Sequence, residues 1–168
     1  MRRPLSRFAR ASGLRAVVGL GSNLGDRLAT LRRAVGSIAG VAAVERRSHV
    51  YRSAPVGGPA QPEFLNAAAL VAYGGPPAAL LRALLEIEAA LGRVRAEKWG
   101  PRVIDLDLLW VDGVAVDGGD LVVPHPRLTE RAFALLPMLE VAPDARDPRS
   151  GAAYVAPHGD VWRTDDVL

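Results

Sequence analysis

Apolar residues recur along this chain at two spacings. They fall at alternate positions in some segments and at every third or fourth position in others. Arg15 to Leu20 is an apolar run that predicts a first strand. Gly21-Ser22-Asn23-Leu24-Gly25-Asp26 is a turn, and Asp26 is placed to cap a helix running to about Ala39. Leu28, Leu31, Val35 and Ile38 give that helix its buried face. Val41 to Arg52 is β-like but broken, and 53–62, with three prolines and two glycines, is a loop. Phe64 to Tyr73 predicts a strand with Leu65, Ala67, Ala69 and Val71 on its apolar face. Pro76 and Pro77 open a second helix that runs to about Leu91, with Gly92 as the residue that ends it.

A charged loop follows from Arg93 to Pro101, then a strand from Val103 to Val111. Asp112-Gly113 and Asp117-Gly118-Gly119 suggest a hairpin. Thr129 to Glu140 is helical in pattern and interrupted or kinked at Pro137. The tail from Pro143 shows no strong pattern. The order β-α-β-β-α-β predicts an α+β sandwich, a mainly antiparallel sheet with helices on one face. Neither a repeat nor a linker divides the chain.

Charge changes the picture at one end. The net charge is +3, but Arg2, Arg3, Arg7, Arg10 and Arg15 contribute +5 with no acid among the first fifteen residues. The rest is therefore +3 − 5 = −2, so the folded body is near neutral and the basic balance does not mark a nucleic-acid-binding domain. Residues 1–13 are expected to be a disordered basic extension, and 14–168 a single domain. The 168 residues contain no cysteine, which excludes disulfides and thiolate metal sites. No run is long and apolar enough to span a membrane, and a cytoplasmic location is the default expectation.

The candidate chemistry is concentrated between Lys98 and Leu109. Asp105 and Asp107 are one residue apart in a strand, so they share a face, with Ile104, Leu106 and Leu108 on the other. Two adjacent carboxylates repel each other. A divalent cation would relieve this, since Mg²⁺ is usually held by one or two carboxylates plus substrate phosphates. The alternative is an ordinary solvated strand face. Arg102, behind a rigid Gly-Pro step, presents a cation suited to phosphate. Arg93, Arg95 and Lys98 form either a solvated charged loop or a mobile phosphate lid. His125, between two prolines, is open to a structural or a functional role. Phe64 and Asn66 point the same way, as stacking and pairing groups for a flat heterocycle or as core and turn residues. Gly19-Leu-Gly21 with Gly25 imitates a dinucleotide fingerprint, but no acid closes a second strand at the required distance. Turn and helix-start chemistry is the simpler role, leaving Asn23 free to support a ligand.

Taken together these segments resemble the 6-hydroxymethyl-7,8-dihydropterin pyrophosphokinases of folate biosynthesis. The resemblance runs from about Val17 to Ala145. It rests on Gly21-Ser22-Asn23, Tyr51-Arg52-Ser53-Ala54-Pro55, Gln61-Pro62-Glu63-Phe64-Leu65-Asn66, Gly92-Arg93-Val94-Arg95 and Trp99-Gly100-Pro101-Arg102-Val103-Ile104-Asp105-Leu106-Asp107-Leu108-Leu109. Pro124-His125-Pro126-Arg127 and Arg131-Ala132-Phe133 complete it. The resemblance implies a ferredoxin-like fold with mobile catalytic loops. It implies transfer of the diphosphate of ATP to the pterin hydroxymethyl group, leaving AMP, by a monomer with no nucleic-acid or membrane partner. It assigns two Mg²⁺ ions to Asp105 and Asp107. Arg93 and Arg102 join them as catalytic residues, and Arg93, Arg95, Trp99, Arg102, His125 and Arg131 hold ATP phosphates or close the lid. Glu88 helps hold the adenosine end. Phe64 and Phe133 sandwich the pterin, while Asn66 and the backbone around Ser53, Ala54 and Val56 bind its edge.

Three positions depart from the usual pattern: Ser53 for Thr, Lys98 for Arg before the Trp, and Pro126 where some relatives have Tyr. A lysine is a point charge and not a planar fork, so a bidentate contact at position 98 is lost. The segment after Gly151 matches nothing in the pattern, and no second catalytic domain fits this length. Two rivals share part of the signal. A dinucleotide-dependent reductase would use the glycines, and a ferredoxin-like RNA-binding module would use the basic start. Neither explains the carboxylate pair, the Gly-Pro-Arg step and Phe64/Asn66 together.

Overall fold

The computed structural model describes residues 13–94 and 98–168. Nearly all of the expected basic extension, and Arg95 with it, lies outside the described residues. Strand β1 (Leu14–Ser22) leads through the turn into helix α1 (Arg27–Ala39). The Asp26 carboxylate accepts from the Ala29 amide at 3.1 Å, the N-cap bond expected from the sequence. Strands β2 (Ala43–Arg47) and β3 (His49–Ser53) are separated at Ser48, which accounts for the broken β pattern. The buried Ser48 hydroxyl accepts from Ala68 N at 2.8 Å, and its own amide donates to Ala68 O, so the break is hydrogen-bonded. Strand β4 (Phe64–Tyr73) follows, then helix α2 (Pro77–Ala90), which ends with Gly92 at φ +92°.

Strand β5 (Asp105–Val111) closes the β-α-β-β-α-β unit. Each pairing is antiparallel, and the order is β5-β1-β4-β3, with β2 also on β4. That is the predicted ferredoxin-like arrangement. The hairpin is a small separate sheet of β6 (Val116–Gly118) and β7 (Leu121–Val123).

Three expectations are corrected. Helices cover both faces of the sheet. Helices α1 and α2 pack on Val18, Leu20, Leu65, Ala67, Ala69, Val71, Leu106 and Leu108. Helix α3 (Ala132–Val141) packs on the opposite face against Val17, Ala68, Leu70, Leu109 and Trp110. This explains why β4 is buried along most of its length. Helix α3 runs through Pro137 without interruption, and its predicted first turn is a separate 3₁₀ segment, Leu128–Glu130. The proline ring removes one helical bond, to Phe133 O, which the apolar packing of Leu135, Met138 and Val141 outweighs.

The third correction concerns the tail. Val161–Val167 forms strand β8, paired antiparallel with β3 at the edge of the main sheet. The exposed residues Trp162, Arg163, Asp165 and Asp166 carry little hydrophobic period, and charges are what an edge strand ordinarily shows.

Candidate active site

Register places the chemistry. Across three neighbouring strands Asp105 pairs with Gly21, and Gly21 with Asn66; Asp107 likewise pairs with Gly19, and Gly19 with Ala68. The glycines therefore lie between the carboxylates and the amide, on the sheet face shared with α3. A Cβ at Gly19 would sit 2.9 Å from Leu109 Cδ1, and one at Gly21 would point toward Asn66 and Phe64. Their missing side chains leave the floor of a cavity of about 320 Å³. Strand spacing of about 4.8 Å puts Asp105 and Asn66 roughly 10 Å apart, at its two ends.

Ser53, Ala54, Val56, Phe64, Asn66 and Phe133 line one end of this cavity. Asn66 Nδ2 donates to Ser53 Oγ at 2.8 Å, which fixes the amide and leaves its Oδ1 as an acceptor. Asp105 and Asp107 line the cavity at the β5 side, and Trp99, Arg102 and Arg131 line it as well. Arg102 Nη1 lies 2.8 Å from Asp105 Oδ2. Arg93 Nη1 lies 2.6 Å from both Asp105 Oδ1 and Glu88 Oε1. Asp105 is thus held between two guanidinium groups.

Among the described residues Asp107 has no such partner. Burial first, and then the Asp105 charge, push its carboxyl up to about 7, with Arg131 acting against them. The second carboxylate is held partly protonated unless a cation joins it. No group of three or more His, Cys, Asp or Glu able to hold a metal is found among the described residues. A cation at this pair would complete its shell from phosphate and water, as Mg²⁺ commonly does. The donor set fits the ion that the sequence implied.

Three expected residues do not line the cavity. Arg93 reaches Asp105 from behind and does not line the cavity. Glu88 is 3% exposed and accepts from Leu106 N at 2.6 Å as well as from Arg93, so it braces β5 and Arg93; its position gives no support to an adenosine contact. His125 is anchored by its amide to Leu109 O, and its Nδ1 accepts from Arg127 N. Burial and the nearby Arg131 charge lower its pKa, so the ring is neutral near pH 7. Arg95 lies outside the described residues.

Asn23 is not free for a ligand. Its Nδ2 donates to Gln61 Oε1 and Pro62 O, its Oδ1 accepts from Arg102 N at 2.8 Å, and its amide donates to Arg102 O. It ties the first turn to both site loops. Gln61 Nε2 in turn donates to Trp99 O at 2.8 Å. Trp99 stands at φ +65°, a strained setting for a side chain, and a Cβ at Gly58 would meet its carbonyl at 2.6 Å. The two loops are thereby locked together. Lys98 Nζ and the Arg127 guanidinium lie 5.8 and 5.5 Å from the Trp99 ring, so Lys98 acts here as a cation on an aromatic face.

The sequence reading gave no role to Arg127 or to the tail residues His158–Val161, all of which line the cavity. Arg127 sat inside a quoted motif; the tail carried no signal. The glycines were noticed but for the wrong chemistry: they are floor residues of an antiparallel sheet and not a dinucleotide turn.

Comparison with known proteins gives a consistent picture. The model of the family described as 7,8-dihydro-6-hydroxymethylpterin-pyrophosphokinase matches residues 17–143. Among curated relatives, the 2-amino-4-hydroxy-6-hydroxymethyldihydropteridine pyrophosphokinase of Methylorubrum extorquens is 48% identical over 132 residues, 77% of this chain and 84% of that protein. Those of Synechocystis sp. and Bacillus subtilis are 44% and 38% identical, covering 83% and 88% of this chain and 72% and 90% of theirs. A solved HPPK-DHPS structure in complex with substrates superposes with a TM-score of 0.68 at 11% identity. It covers 93% of this chain, which spans 48% of that longer one.

Proposed function

Because the chain belongs to the 7,8-dihydro-6-hydroxymethylpterin-pyrophosphokinase family, we propose that the cavity is its active site, with pterin at the Asn66 end and triphosphate at the Asp105 end. The protein transfers the diphosphate of ATP to 6-hydroxymethyl-7,8-dihydropterin in folate synthesis, leaving AMP. The observation that carries the site reading is the register. It sets a carboxylate pair and an amide on one sheet face, with only glycine between them.

Phe64 and Phe133 stack on the pterin, and Asn66 Oδ1 with the backbone near Ser53, Ala54 and Val56 binds its polar edge. The hydroxymethyl group then points along the floor toward Asp105 and Asp107. Asp105 and Asp107 would hold two Mg²⁺ ions, which would supply charge neutralisation to the triphosphate. Arg102 and Arg131 bind phosphate oxygens inside the cavity, while Arg93 and Arg95 follow from the lid loop. Arg93 and Arg102 leave Asp105 for phosphate when substrate arrives, exchanging one anion for another. Neutral His125 adds no charge to the site and offers its Nε2 for a hydrogen bond. With no strong base in place, positioning and charge neutralisation supply the rate.

The reading takes a cytoplasmic monomer without a nucleic-acid partner, supported by the near-neutral charge of the body. No helix among the described residues is long and apolar enough to cross a membrane. Incubation with Mg-ATP and 6-hydroxymethyl-7,8-dihydropterin should yield AMP and the pterin diphosphate in equal amounts. ADP with a pterin monophosphate would overturn the reaction.

A further inference from the structure

We propose that the tail segment His158–Val161 is a wall of the pterin slot and that the Asp160 carboxylate binds the amino-pyrimidinone edge of the pterin. This rests on the pterin placement above and goes beyond it, because these residues lie outside the part that the family model matches.

The register fixes where the segment runs. Val161 pairs with Ser53, and Ser53 pairs with Phe64, so β8, β3 and β4 bring three residues side by side at the same end of the cavity. Just before Val161 the chain turns tightly, with Val161 N donating to Gly159 O at 2.9 Å. Gly159 then lies flat against the start of α3, where a Cβ would stand 3.0 Å from Ala132 Cβ. The segment therefore bridges the gap between Ser53 on the sheet and Ala132 on the helix, the residue before Phe133. It closes the slot on the side away from Asp105. His158, Gly159, Asp160 and Val161 all line the cavity.

The chemistry complements the groups already there. Asn66 and Ser53 hydrogen-bond to each other; of the other carboxylates that line the cavity, Asp105 and Asp107 stand on β5 and Glu130 is paired with Arg127 at 3.0 Å, which leaves Asp160 next to the strand that carries Ser53. The substrate of the relatives carries a 2-amino group beside a ring N–H. Such a pair of parallel donors matches the two oxygens of a carboxylate. Asp160 supplies those oxygens on a segment that Gly159 seats against α3.

The test measures binding of 6-hydroxymethyl-7,8-dihydropterin by calorimetry in the presence of a non-hydrolysable Mg-ATP analogue. Asp160→Asn should raise the pterin Kd about tenfold, the effect of one charged hydrogen bond in a partly open site. The Kd of the ATP analogue should stay unchanged. Gly159→Val, which pushes the segment off Ala132, should weaken pterin binding in the same way. Asn66→Ala serves as the reference for the pterin end itself. If Asn66→Ala leaves pterin binding intact, the placement of the pterin fails. If Asn66→Ala weakens binding but Asp160→Asn and Gly159→Val both remain within twofold, the tail proposal is overturned. A loss with Gly159→Val alone would overturn the role of the carboxylate. Thermal unfolding of each variant near the parent temperature establishes that folding is intact.

Discussion

At the proposed pterin end of the cavity the Asn66 amide already has a partner, whereas at the proposed phosphate end the charges compete. Asn66 is locked to Ser53, and Phe64 and Phe133 frame the slot, with the Asp160 carboxylate on the wall beside them. Some 10 Å away, Asp105 is shared by Arg93 and Arg102, while Asp107 has no ion-pair partner among the described residues and its carboxyl is pushed up by burial. The first end is built to recognise a shape, and it is finished before the ligand comes. On the proposed reading the second receives a large negative charge together with a cation, and its own ion pairs are then exchanged. The glycines of β1 keep the two ends on one continuous floor.

The comparison is broken most severely at Asp107. Asp107→Ala should fold and lose turnover by roughly three or more orders of magnitude, because the metal has no second carboxylate. Steady-state AMP formation checks this, and near-normal turnover would remove the ligand assignment. At the other end Phe64→Ala should weaken pterin binding by about ten- to a hundredfold, the range of an aromatic stacking partner lost with its buried area. The affinity for the ATP analogue should hold. A loss of both affinities would show that the ends are not separate.

Glu88→Ala sharpens the contrast through stability. It strips a partner from the buried Glu88–Arg93–Asp105 group and leaves Leu106 N unpaired, so unfolding by denaturant should show a loss of about 3 kcal/mol. The smallest effect concerns pH. Folded Asp107 holds its proton up to about 7, whereas in the unfolded chain it releases it near pH 4. Between those values the folded form binds the extra proton, so this group's contribution to stability falls as pH rises. In metal-free protein at pH 8, Asp107→Asn should raise Tm by roughly 2–4 °C, the shift of about 1 kcal/mol in a chain of this size. An unchanged or lower Tm would remove the strain assigned to Asp107.

The strand that carries the carboxylate pair was the most legible part of the molecule. Asp105 and Asp107 alternate with Leu106 and Leu108, and the structure sends the two sets to opposite faces as period-two geometry requires. The second covered face was legible in principle: Ala68 and Leu70 are apolar on the side of β4 opposite Ala67 and Ala69, which a one-sided sheet would not need. The roles of Gly19, Gly21 and Asn23 were not, because each depends on what a neighbouring strand or loop places beside it. Nothing local distinguishes a glycine that opens a cavity from one that turns a chain. Nor does the composition of the tail reveal a strand whose pairing partner, β3, lies more than a hundred residues earlier.

The electrostatic claim at the phosphate end is tested most directly by proton release on binding. Calorimetric titration of a non-hydrolysable Mg-ATP analogue at pH 6.5, in buffers of different ionisation enthalpy, counts the protons displaced. A carboxyl at about 7 that must ionise to hold the metal should release between about half and one proton more in the parent protein than in Asp107→Asn. Equal proton release in the two proteins would contradict the assignment of Asp107 as the ligand that the metal deprotonates.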